Sequence, residues 1–529
     1  MNDLHLESRE HRGLTRRQLL QYGGASALLL AGGSWLAGCA PGGGTSTASA
    51  TVALTRGGTM AYGLIGGSAF SSMDAHTPLD PVTIQWAGML YEQLAVLNGS
   101  FELENVLAEE FSANADATSW TVRLKSGIEF HNGKTVSADD VIASFTRVLD
   151  PANRAVGAGQ VSMIESMTKL DDLTVRFDLN RPTGWFDIAV SDGTALGIVP
   201  ADYDPADPVG TGPWKYKSFT AGVTGEVERF DDYHGQIALL DSITLPIISD
   251  LSAMTNALLS GQIDAVSQLS PSSAATVQSN PDLTFYDLPG GGYSAMTMRV
   301  DEGDLADPLV RQALQVGVDR QAIVDSAYNG YAQVGNDLYA LYDPLYASDL
   351  VRERDVDQAR SLLKQAGKSD LNVTITVSEL TPGSVAAAQV FAQSATEFGA
   401  TVQVDEVDVA TLLGANYLQW PFSQIVQPAA RYTTAVSALD APTASSNATH
   451  WDDDEYTSLW ETVSSATDDA TRTQCAADMQ QIMFERGGYI IPAFPDTLFA
   501  SSSKLGGWPT VARSGLTVTR TMNEVGYIG

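Results

Sequence analysis

The sequence predicts a mixed α/β fold with two or three domains. In residues 355–427, three segments with helical periodicity alternate with three short runs rich in β-branched residues, which is typical of a mainly parallel sheet covered by helices. Nearer the N-terminus, the alternation of apolar and polar residues at 120–124 and 173–179 predicts half-buried strands. The chain has 529 residues, enough for two or three large cores.

The elements of the first half are predicted from periodicity and from turn residues. They are a strand, a loop and a helix within 54–97, a strand within 120–130, a helix from 137 to 149 and a strand at 173–179. Ser137 followed by Asp140 has the spacing of a helix N-terminal capping box, and Asp150-Pro151 ends that helix. Residues 200–213, rich in Pro, Gly and Asp, are predicted to lead the chain from one lobe to another.

The elements of the second half include the α/β alternation. They are a helix from 250 to 261, a strand at 263–266, two helices between 307 and 330, helices at 355–366, 384–398 and up to about 418, strands at 371–377, 401–407 and 422–427, long helices within 455–486 and a strand at 489–494. Asp307-Pro308 predicts a helix start because Asp caps the free backbone amides and Pro suits the first turn.

The first 40 residues predict export and a lipid anchor. Arg16-Arg17 precedes an apolar run of mostly small residues at 25–37. The tetrapeptide Leu36-Ala37-Gly38-Cys39 overlaps the end of this run. Residues 1–38 are similar to a twin-arginine signal peptide with a bacterial lipoprotein cleavage box, so Cys39 is the expected lipidation site. The apolar run is shorter than the ~20 residues of a membrane-spanning helix. Residues 39–51 are rich in Gly, Ser and Thr and are predicted to be a flexible tether.

Composition excludes one class of partner. The formal net charge is −33 at pH 7, so the surface is not expected to neutralise the phosphates of a nucleic acid. The sequence contains two cysteines, and Cys475 shares helical spacing with Met479 and Met483, which indicates a core residue instead of a nucleophile.

Motifs for catalysis, metals and cofactors are weak. Gly133-Lys134-Thr135 lacks the glycine that a phosphate-binding loop needs, because Ile128 stands there. Adjacent Asp139 and Asp140 point in different directions on a helix and favour a capping role over acid–base chemistry. The histidines after residue 38 lie far apart, at positions 76, 131, 234 and 450. We therefore expect no enzyme, no metal and no cofactor, with an exported carboxylate-dependent hydrolase as the alternative.

Several blocks in fixed order carry a family resemblance. They include Phe130-His131-Asn132-Gly133-Lys134, Gly210-Thr211-Gly212-Pro213-Trp214, Leu259-Ser260-Gly261-Gln262-Ile263-Asp264 and Val310-Arg311-Gln312-Ala313-Leu314. In these blocks, which extend over almost the whole chain after the tether, the sequence resembles the peptide/nickel-type substrate-binding lipoproteins of ABC importers, the dipeptide- and oligopeptide-binding family.

The resemblance implies a two-lobed clamp of the periplasmic-binding-protein type with an extra subdomain on the first lobe. Lobe I would consist of residues 52–96, 205–300 and 488–529, its subdomain of residues 97–204, and lobe II of residues 301–487. The hinge would then lie near 299–301 and 487–489. The expected function is capture of a peptide-like or other small organic solute, or a metal chelate, by hinge closure. The expected partners are ABC permease subunits and the membrane, at the extracytoplasmic face, for a monomeric protein.

One loop departs from the family pattern. Peptide-binding members resemble one another in a Gly-Trp-x-x-Asp-type loop whose acid holds the ammonium of the peptide, whereas this chain has Gln427-Pro428-Ala429-Ala430-Arg431-Tyr432. Arg431 at this place favours a carboxylate or another anionic group, which Arg binds in a bidentate manner. Two alternatives stay open: Arg431 lies outside the cleft and pairs with one of the many surface acids, or Asp440 supplies the partner of an ammonium.

The predicted ligand-binding residues follow from loop positions at strand ends. They are Tyr62, Phe70, Gln268, Tyr293, Gln427, Arg431 and Tyr432.

Overall fold

The computed structural model describes residues 53–67, 71–191, 193–514 and 516–529. The predicted signal peptide, Cys39, the tether and Phe70 lie outside these ranges. Within the described part, none of the helices has the length and apolar character needed to cross a bilayer. Two large sheets, of seven and five strands, and a separate four-stranded sheet form the frame of the fold.

The seven-stranded sheet forms the first lobe. Its strands lie in the spatial order Leu283–Leu288, Thr497–Ser502, Ala265–Val266, Thr59–Ile65, Ser242–Ile248, Thr224–Arg229 and Trp214–Thr220. The strand Thr59–Ile65 is parallel to both of its neighbours. The helices of this lobe are Pro81–Leu90, Leu251–Leu259, Ala274–Gln278 and Thr517–Arg520, and a small sheet joins Leu54–Thr55, Gly526–Ile528 and Leu505–Gly506.

The Gly210-Thr211-Gly212 block fixes the chain where it enters this lobe. A Cβ atom on Gly210 would lie 2.0 Å from the carbonyl oxygen of Leu90, so only glycine fits. The Gly210 amide donates to Nδ1 of His131 at 3.2 Å, and Nε2 of His131 lies 2.9 Å from the carbonyl oxygen of Gly212. The block and His131 therefore form one structural contact.

The five-stranded sheet forms the second lobe and contains the predicted alternation. Its strands lie in the order Thr401–Glu406, Asn372–Val377, Phe422–Gln427, Tyr293–Met298 and Tyr489–Ile490. The first three run parallel, as predicted for this segment. The helices of the lobe are Pro308–Gly317, Arg320–Ala327, Val356–Gln365, Ser384–Thr396, Val409–Leu412, Tyr432–Leu439, Asp454–Ser465 and Asp469–Arg486, and the strands Ala332–Val334 and Ala493–Pro495 pair beside it.

Two predictions about this lobe are wrong. The helix expected to reach residue 418 spans only Val409–Leu412, because Gly414 follows and Leu418 has a positive φ of 63°. The crossings between the two large sheets lie at 289–292 and 491–496, not at 299–301 and 487–489, since Tyr293–Met298 pairs along its whole length with Phe422–Gln427. The other predicted lobe boundaries stay predictions.

The four-stranded antiparallel sheet lies within residues 97–204, the range of the predicted subdomain. Its strands lie in the order Ala108–Ala113, Ser119–Leu124, Thr174–Leu179 and Ile164–Asp171, beside the helices Ala138–Leu149 and Phe186–Ala189, the turn Pro151–Asn153 and the hairpin Ala95–Leu97 and Leu103–Asn105. The predicted capping box is confirmed, because Oδ2 of Asp140 accepts from the Ser137 amide at 2.9 Å. This carboxylate is structural.

The subdomain touches the helices of the second lobe. The rings of Trp185 and Trp460 lie 6.1 Å apart, and the Gly184 amide donates to the carbonyl oxygen of Ser464 at 2.8 Å. A Cβ atom on Gly184 would lie 1.9 Å from the carbonyl oxygen of Ala466. Residues 184–185 are therefore packed directly against the helix Asp454–Ser465 and the residue that follows it.

Candidate functional site

A cavity of about 510 Å³ opens between the two large sheets. Both lobes and both crossings contribute to its walls, which include Leu64, Ile65, Pro81, Gln268, Gly290, Gly291, Gly292, Tyr293, Tyr328, Tyr331, Gln427, Asp496, Thr497 and Arg513. The volume lies within the range of sites that enclose a small organic ligand. Mostly apolar walls with a few polar side chains are also typical of such sites.

A second cavity of about 600 Å³ adjoins the first. The two share Ile65, Pro81, Gln268, Pro271, Thr381 and Pro382, so together they form an elongated cleft. The second cavity contains Glu379, but that carboxylate accepts from the amides of Gly383 at 2.7 Å and Val385 at 3.0 Å. Glu379 therefore caps the helix Ser384–Thr396.

Three of the predicted ligand-binding residues line the first cavity together. Gln268 follows the strand Ala265–Val266, Gln427 ends the strand Phe422–Gln427, and Tyr293 begins the strand Tyr293–Met298. The positions of Tyr293 and Gln427 face each other in the antiparallel register. Their location at strand ends is the reason they were predicted, and their contact with a ligand stays a prediction.

Tyr62 and Tyr432 lie in apolar cores and not in the cleft. Tyr62 is 1 % exposed and its ring stacks on Trp508 at 6.3 Å beneath the first sheet. Tyr432 is also 1 % exposed and stacks on Tyr339 at 5.8 Å. Neither residue is part of the cavity wall. Loop position alone did not reveal that packing against another aromatic ring would bury each one.

Arg431 is held in an ion pair outside the cavity wall. Its Nε atom lies 2.8 Å from Oδ2 of Asp343, and its Nη1 atom donates to the carbonyl oxygen of Phe101 at 3.1 Å. The Asp343 side chain is 2 % exposed and also accepts from the Tyr432 amide at 2.9 Å. The structure therefore agrees with the alternative that places Arg431 in an ion pair outside the cavity wall, but the expected surface acid is wrong, because Asp343 is buried.

Asp440 lies inside the second lobe between the hydroxyls of Tyr339 and Tyr489, which we call the tyrosine cage. It is 2 % exposed and accepts hydrogen bonds from the hydroxyls of Tyr339 at 2.6 Å and Tyr489 at 2.9 Å. Burial raises the pKa of Asp440 from 3.8 to about 6, although the two hydroxyls act in the opposite direction. Asp440 is not part of the cavity wall, so it is not placed to meet an ammonium of a ligand there.

The sequence reasoning missed two charged residues of the cleft. Asp496 and Arg513 both line the first cavity. The Oδ1 atom of Asp496 is buried and receives no hydrogen bond within the described part of the chain. The guanidinium carbon of Arg513 lies 4.8 Å above the ring of Tyr342. Asp496 lies two residues after the predicted strand 489–494, as Gln268 lies two residues after the predicted strand 263–266, so the same strand-end signal could have selected it. Arg513 lies in an irregular segment without such a signal.

Metal ligands are not grouped in the described ranges. No set of three or more His, Cys, Asp or Glu side chains there could hold a metal ion. The ring of His76, for example, lies against the carbonyl oxygen of Gly197 at 2.9 Å and against the guanidinium of Arg147 at 2.7 Å. Burial lowers the pKa of this histidine, and its ring contacts are structural.

Comparison with known proteins identifies the family. The sequence profile of the bacterial extracellular solute-binding proteins, family 5 (middle region), matches residues 102–470. The chain belongs to this family. It is 27 % identical over 357 residues to the glutathione-binding protein GsiB of Pectobacterium atrosepticum. The aligned region covers 65 % of this chain and 68 % of that protein. Other glutathione-binding proteins of the same name are matched over 60 % of their length.

Solved structures of binding proteins share the fold. The periplasmic binding protein DppA of Helicobacter pylori, in complex with the peptide STSA, has a TM-score of 0.76 and 24 % identity over 90 % of this chain and 99 % of that one. The binding protein AgaA of A. tumefaciens R10, in complex with agropinic acid, has a TM-score of 0.75 and 22 % identity over 89 % and 99 %. These likenesses confirm the predicted two-lobed clamp.

Family membership makes this chain an extracellular solute-binding protein, as the resemblance predicted. The relatives and the solved structures are binding proteins, so the alternative of an exported hydrolase receives no support from them.

Proposed function

We propose that the protein captures a peptide-like solute outside the cytoplasm and delivers it to the permease of an ABC importer, without catalysis. The observation that carries this proposal is the cavity whose walls come from both lobes and both crossings. A ligand that contacts residues of both lobes stabilises the closed arrangement of the lobes more than an open one. Closure would present a ligand-dependent surface to a permease.

The cleft favours a ligand with several polar groups on an organic frame. Its polar side chains include Gln268, Gln427, Asp496 and Arg513, set among apolar and aromatic walls. The relatives are named for glutathione, and DppA holds a peptide. We therefore place peptide-like solutes first. Because AgaA holds agropinic acid, another organic acid is the second candidate.

We also propose that the protein is exported by the twin-arginine route and anchored as a monomer through a lipid on Cys39. The sequence of residues 1–51 supports this part of the proposal. Replacing Cys39 by Ala should move the protein from the detergent-soluble membrane fraction to the aqueous fraction. A variant that stays with the membrane would contradict lipidation at this residue.

A thermal-shift panel tests solute capture. The panel contains glutathione, unmodified di- to pentapeptides, agropinic acid and nickel–histidine, each added to the purified exported protein. Binding to the folded state raises the melting temperature in proportion to the logarithm of ligand concentration. We expect at least one peptide-like compound to do so. A panel without any concentration-dependent shift would contradict peptide-like capture.

A further inference from the structure

The chain segment that contains the four-stranded sheet meets the helices of the second lobe in one close contact. The Gly184 amide donates to the carbonyl oxygen of Ser464 at 2.8 Å, and the Gly184 carbonyl oxygen accepts from Nη2 of Arg472 at 3.0 Å. The ring of Trp185 lies 6.1 Å from that of Trp460. Both backbone polar groups of Gly184 therefore have their partners on the other side of the contact. We call these five residues the latch.

One side of the latch is fixed within the second lobe. Its residues belong to the helices Asp454–Ser465 and Asp469–Arg486. Arg311, on the helix Pro308–Gly317, is 4 % exposed and donates to the carbonyl oxygen of Arg486 at 2.6 Å. Because a buried guanidinium ties the end of the second latch helix to the lobe, this side of the latch moves with the second lobe.

The other side of the latch is attached to the first lobe. The segment 97–204 leaves from the helix Pro81–Leu90 and returns to the strand Trp214–Thr220 of the seven-stranded sheet. Arg147 of this segment also binds Asp74, in the loop before that helix, through two hydrogen bonds of 2.9 and 2.5 Å. Two chain connections and an ion pair thus join the segment to the first lobe, whereas its contacts with the second lobe are non-covalent.

The packing at the latch is too close for any residue larger than glycine. A Cβ atom on Gly184 would lie 1.9 Å from the carbonyl oxygen of Ala466. Trp185 is 1 % exposed, and its indole N–H donates to the hydroxyl of Ser464 at 3.4 Å. If the lobes rotate apart about the two crossings, this ring enters water, so its burial favours the closed arrangement.

Arg431 makes a further hydrogen bond between the same two parts of the molecule. Its Nη1 atom donates to the carbonyl oxygen of Phe101 at 3.1 Å. Its ion pair with the buried Asp343, however, lies within the second lobe and does not depend on this contact. We therefore define the latch without Arg431.

We propose that the latch holds the two lobes closed in the absence of a solute and thereby sets part of the affinity for the solute. None of the five latch residues lines either cavity of the cleft. A solute that binds the closed arrangement loses less affinity when that arrangement is already populated. Gly184 and Arg472 are thus positioning residues that act through the arrangement of the lobes. The effect on affinity rests on the proposed function; closure without a solute does not.

The first test is Gly184→Ala, with Gly159→Ala as the matched control. Neither glycine has a positive φ, and a Cβ atom on Gly159 would meet no atom of the described residues within 4 Å. Small-angle X-ray scattering of the solute-free protein should show a larger radius of gyration for Gly184→Ala than for the parent, and no change for Gly159→Ala. A radius of gyration equal to that of the parent would overturn the proposal, even if Gly184→Ala lowers the melting temperature, because a merely structural contact changes stability alone.

The second test measures solute binding by calorimetry. The probes are glutathione, trialanine and the peptide STSA. Gly184→Ala should bind the probe that the parent binds about fivefold or more weakly, and Gly159→Ala should bind it within about twofold of the parent. At a saturating concentration of that probe, the radius of gyration of Gly184→Ala should approach the parent value. Equal affinity of Gly184→Ala and the parent would overturn the link between the latch and binding.

A further variant and a measurement on the parent keep the test decisive if Gly184→Ala does not fold. Arg472→Gln removes the hydrogen bond to the Gly184 carbonyl oxygen without inserting atoms, and it should enlarge the solute-free protein in the same direction by a smaller amount. Hydrogen exchange of the solute-free parent should be slow in the peptide that contains residues 184–185, because the Gly184 amide is bonded to Ser464. Fast exchange there would overturn the proposal.

The outcomes separate the latch from the proposed function. If none of the three probes binds the parent and Gly184→Ala still enlarges the solute-free protein, the capture of peptide-like solutes is overturned and closure by the latch stands. If a probe binds and Gly184→Ala matches the parent in radius of gyration and affinity, the latch is overturned and solute capture stands. A larger solute-free variant that binds more weakly supports both.

Discussion

Asp440 and Asp496 both have a raised pKa, but Asp440 lies inside the second lobe and Asp496 lies on the wall of the cleft. Burial raises the pKa of both, to about 6 for Asp440 and about 7 for Asp496. Asp440 receives two tyrosine hydroxyls inside the second lobe, whereas the buried oxygen of Asp496 receives no donor from the described residues and borders the cleft. The comparison teaches that a raised pKa does not by itself mark a residue of the cleft, because a carboxyl group inside the core of a lobe has one as well.

The comparison separates variants by the property they change. Substitutions in the interior of the second lobe should alter the free energy of unfolding and leave ligand selectivity unchanged. A substitution at Asp496 should do the reverse. The following four predictions run from the largest expected effect on stability to the smallest.

The interior ion pair around Asp337 should give the largest effect. Its carboxylate is 0 % exposed and lies 2.7 Å from Nη2 of Arg320 and 2.6 Å from Nε of Arg352. Asp337→Ala leaves two guanidinium groups buried without their counter-ion, which should lower the free energy of unfolding by about 3–5 kcal/mol. Urea unfolding measures it. The exposed Asp357, paired with Arg360 at 2.6 Å, is the control, and Asp357→Ala should cost less than about 1 kcal/mol.

The tyrosine cage should make stability depend on pH. Because the folded protein holds Asp440 with a pKa of about 6 instead of 3.8, it binds the proton more tightly than the unfolded chain does. This contribution is fully present below about pH 4 and is lost as the pH rises through about 6, a change of about 3 kcal/mol. Asp440→Asn should remove it. The difference in unfolding free energy between variant and parent, measured from about pH 4.5 to 7.5, should grow with pH; a constant difference would contradict the raised pKa.

Arg431 should matter for stability and not for ligand binding. Arg431→Ala leaves the 2 % exposed side chain of Asp343 without its counter-ion, and we expect a loss of about 2 kcal/mol, moderated because Arg431 itself is 15 % exposed. Arg431→Lys keeps the charge and is the matched variant. Calorimetry of both with the tightest compound of the panel should give affinities within about twofold of the parent. A large loss of affinity with unchanged stability would place Arg431 in the binding site after all.

Asp496 should show the smallest effect on stability. Asp496→Asn removes a half-buried charge that repels Asp287, so at about pH 8 the variant should be as stable as the parent or more stable by less than about 1 kcal/mol. Thermal unfolding without ligand measures this. A clear destabilisation would show that Asp496, like Asp440, serves the fold, and would remove the contrast between the two regions.

Much of the fold could be predicted from local patterns. The helix Ala138–Leu149, the strands Asn372–Val377 and Phe422–Gln427 and the helix beginning after Asp307 follow from periodicity and capping residues that act within a few positions of the chain. The crossings were misplaced because Tyr293–Met298 joins the second sheet through pairing with residues more than 120 positions away. No local signal contains that pairing.

The site was predicted less completely, for the same physical reason. Gln268, Tyr293 and Gln427 were found because strand ends gather at a sheet edge, but Tyr62 lies within the strand Thr59–Ile65 and is buried against Trp508. Arg431 has the right chemistry for an anionic ligand, yet Asp343 neutralises it from a loop 88 residues earlier. The role of a charged side chain depends on its partner, and long-range partners are not visible in sequence spacing.

Hydrogen exchange with and without ligand tests the central claim most directly. The protein is compared alone and with the tightest-binding compound of the thermal-shift panel, and exchange is followed by mass spectrometry. The account predicts slower exchange in 267–270, 290–294 and 496–498, which line the cleft, and unchanged exchange in 432–440 around the tyrosine cage. Protection confined to 337–343 and 432–440, with none in the cleft, would contradict it.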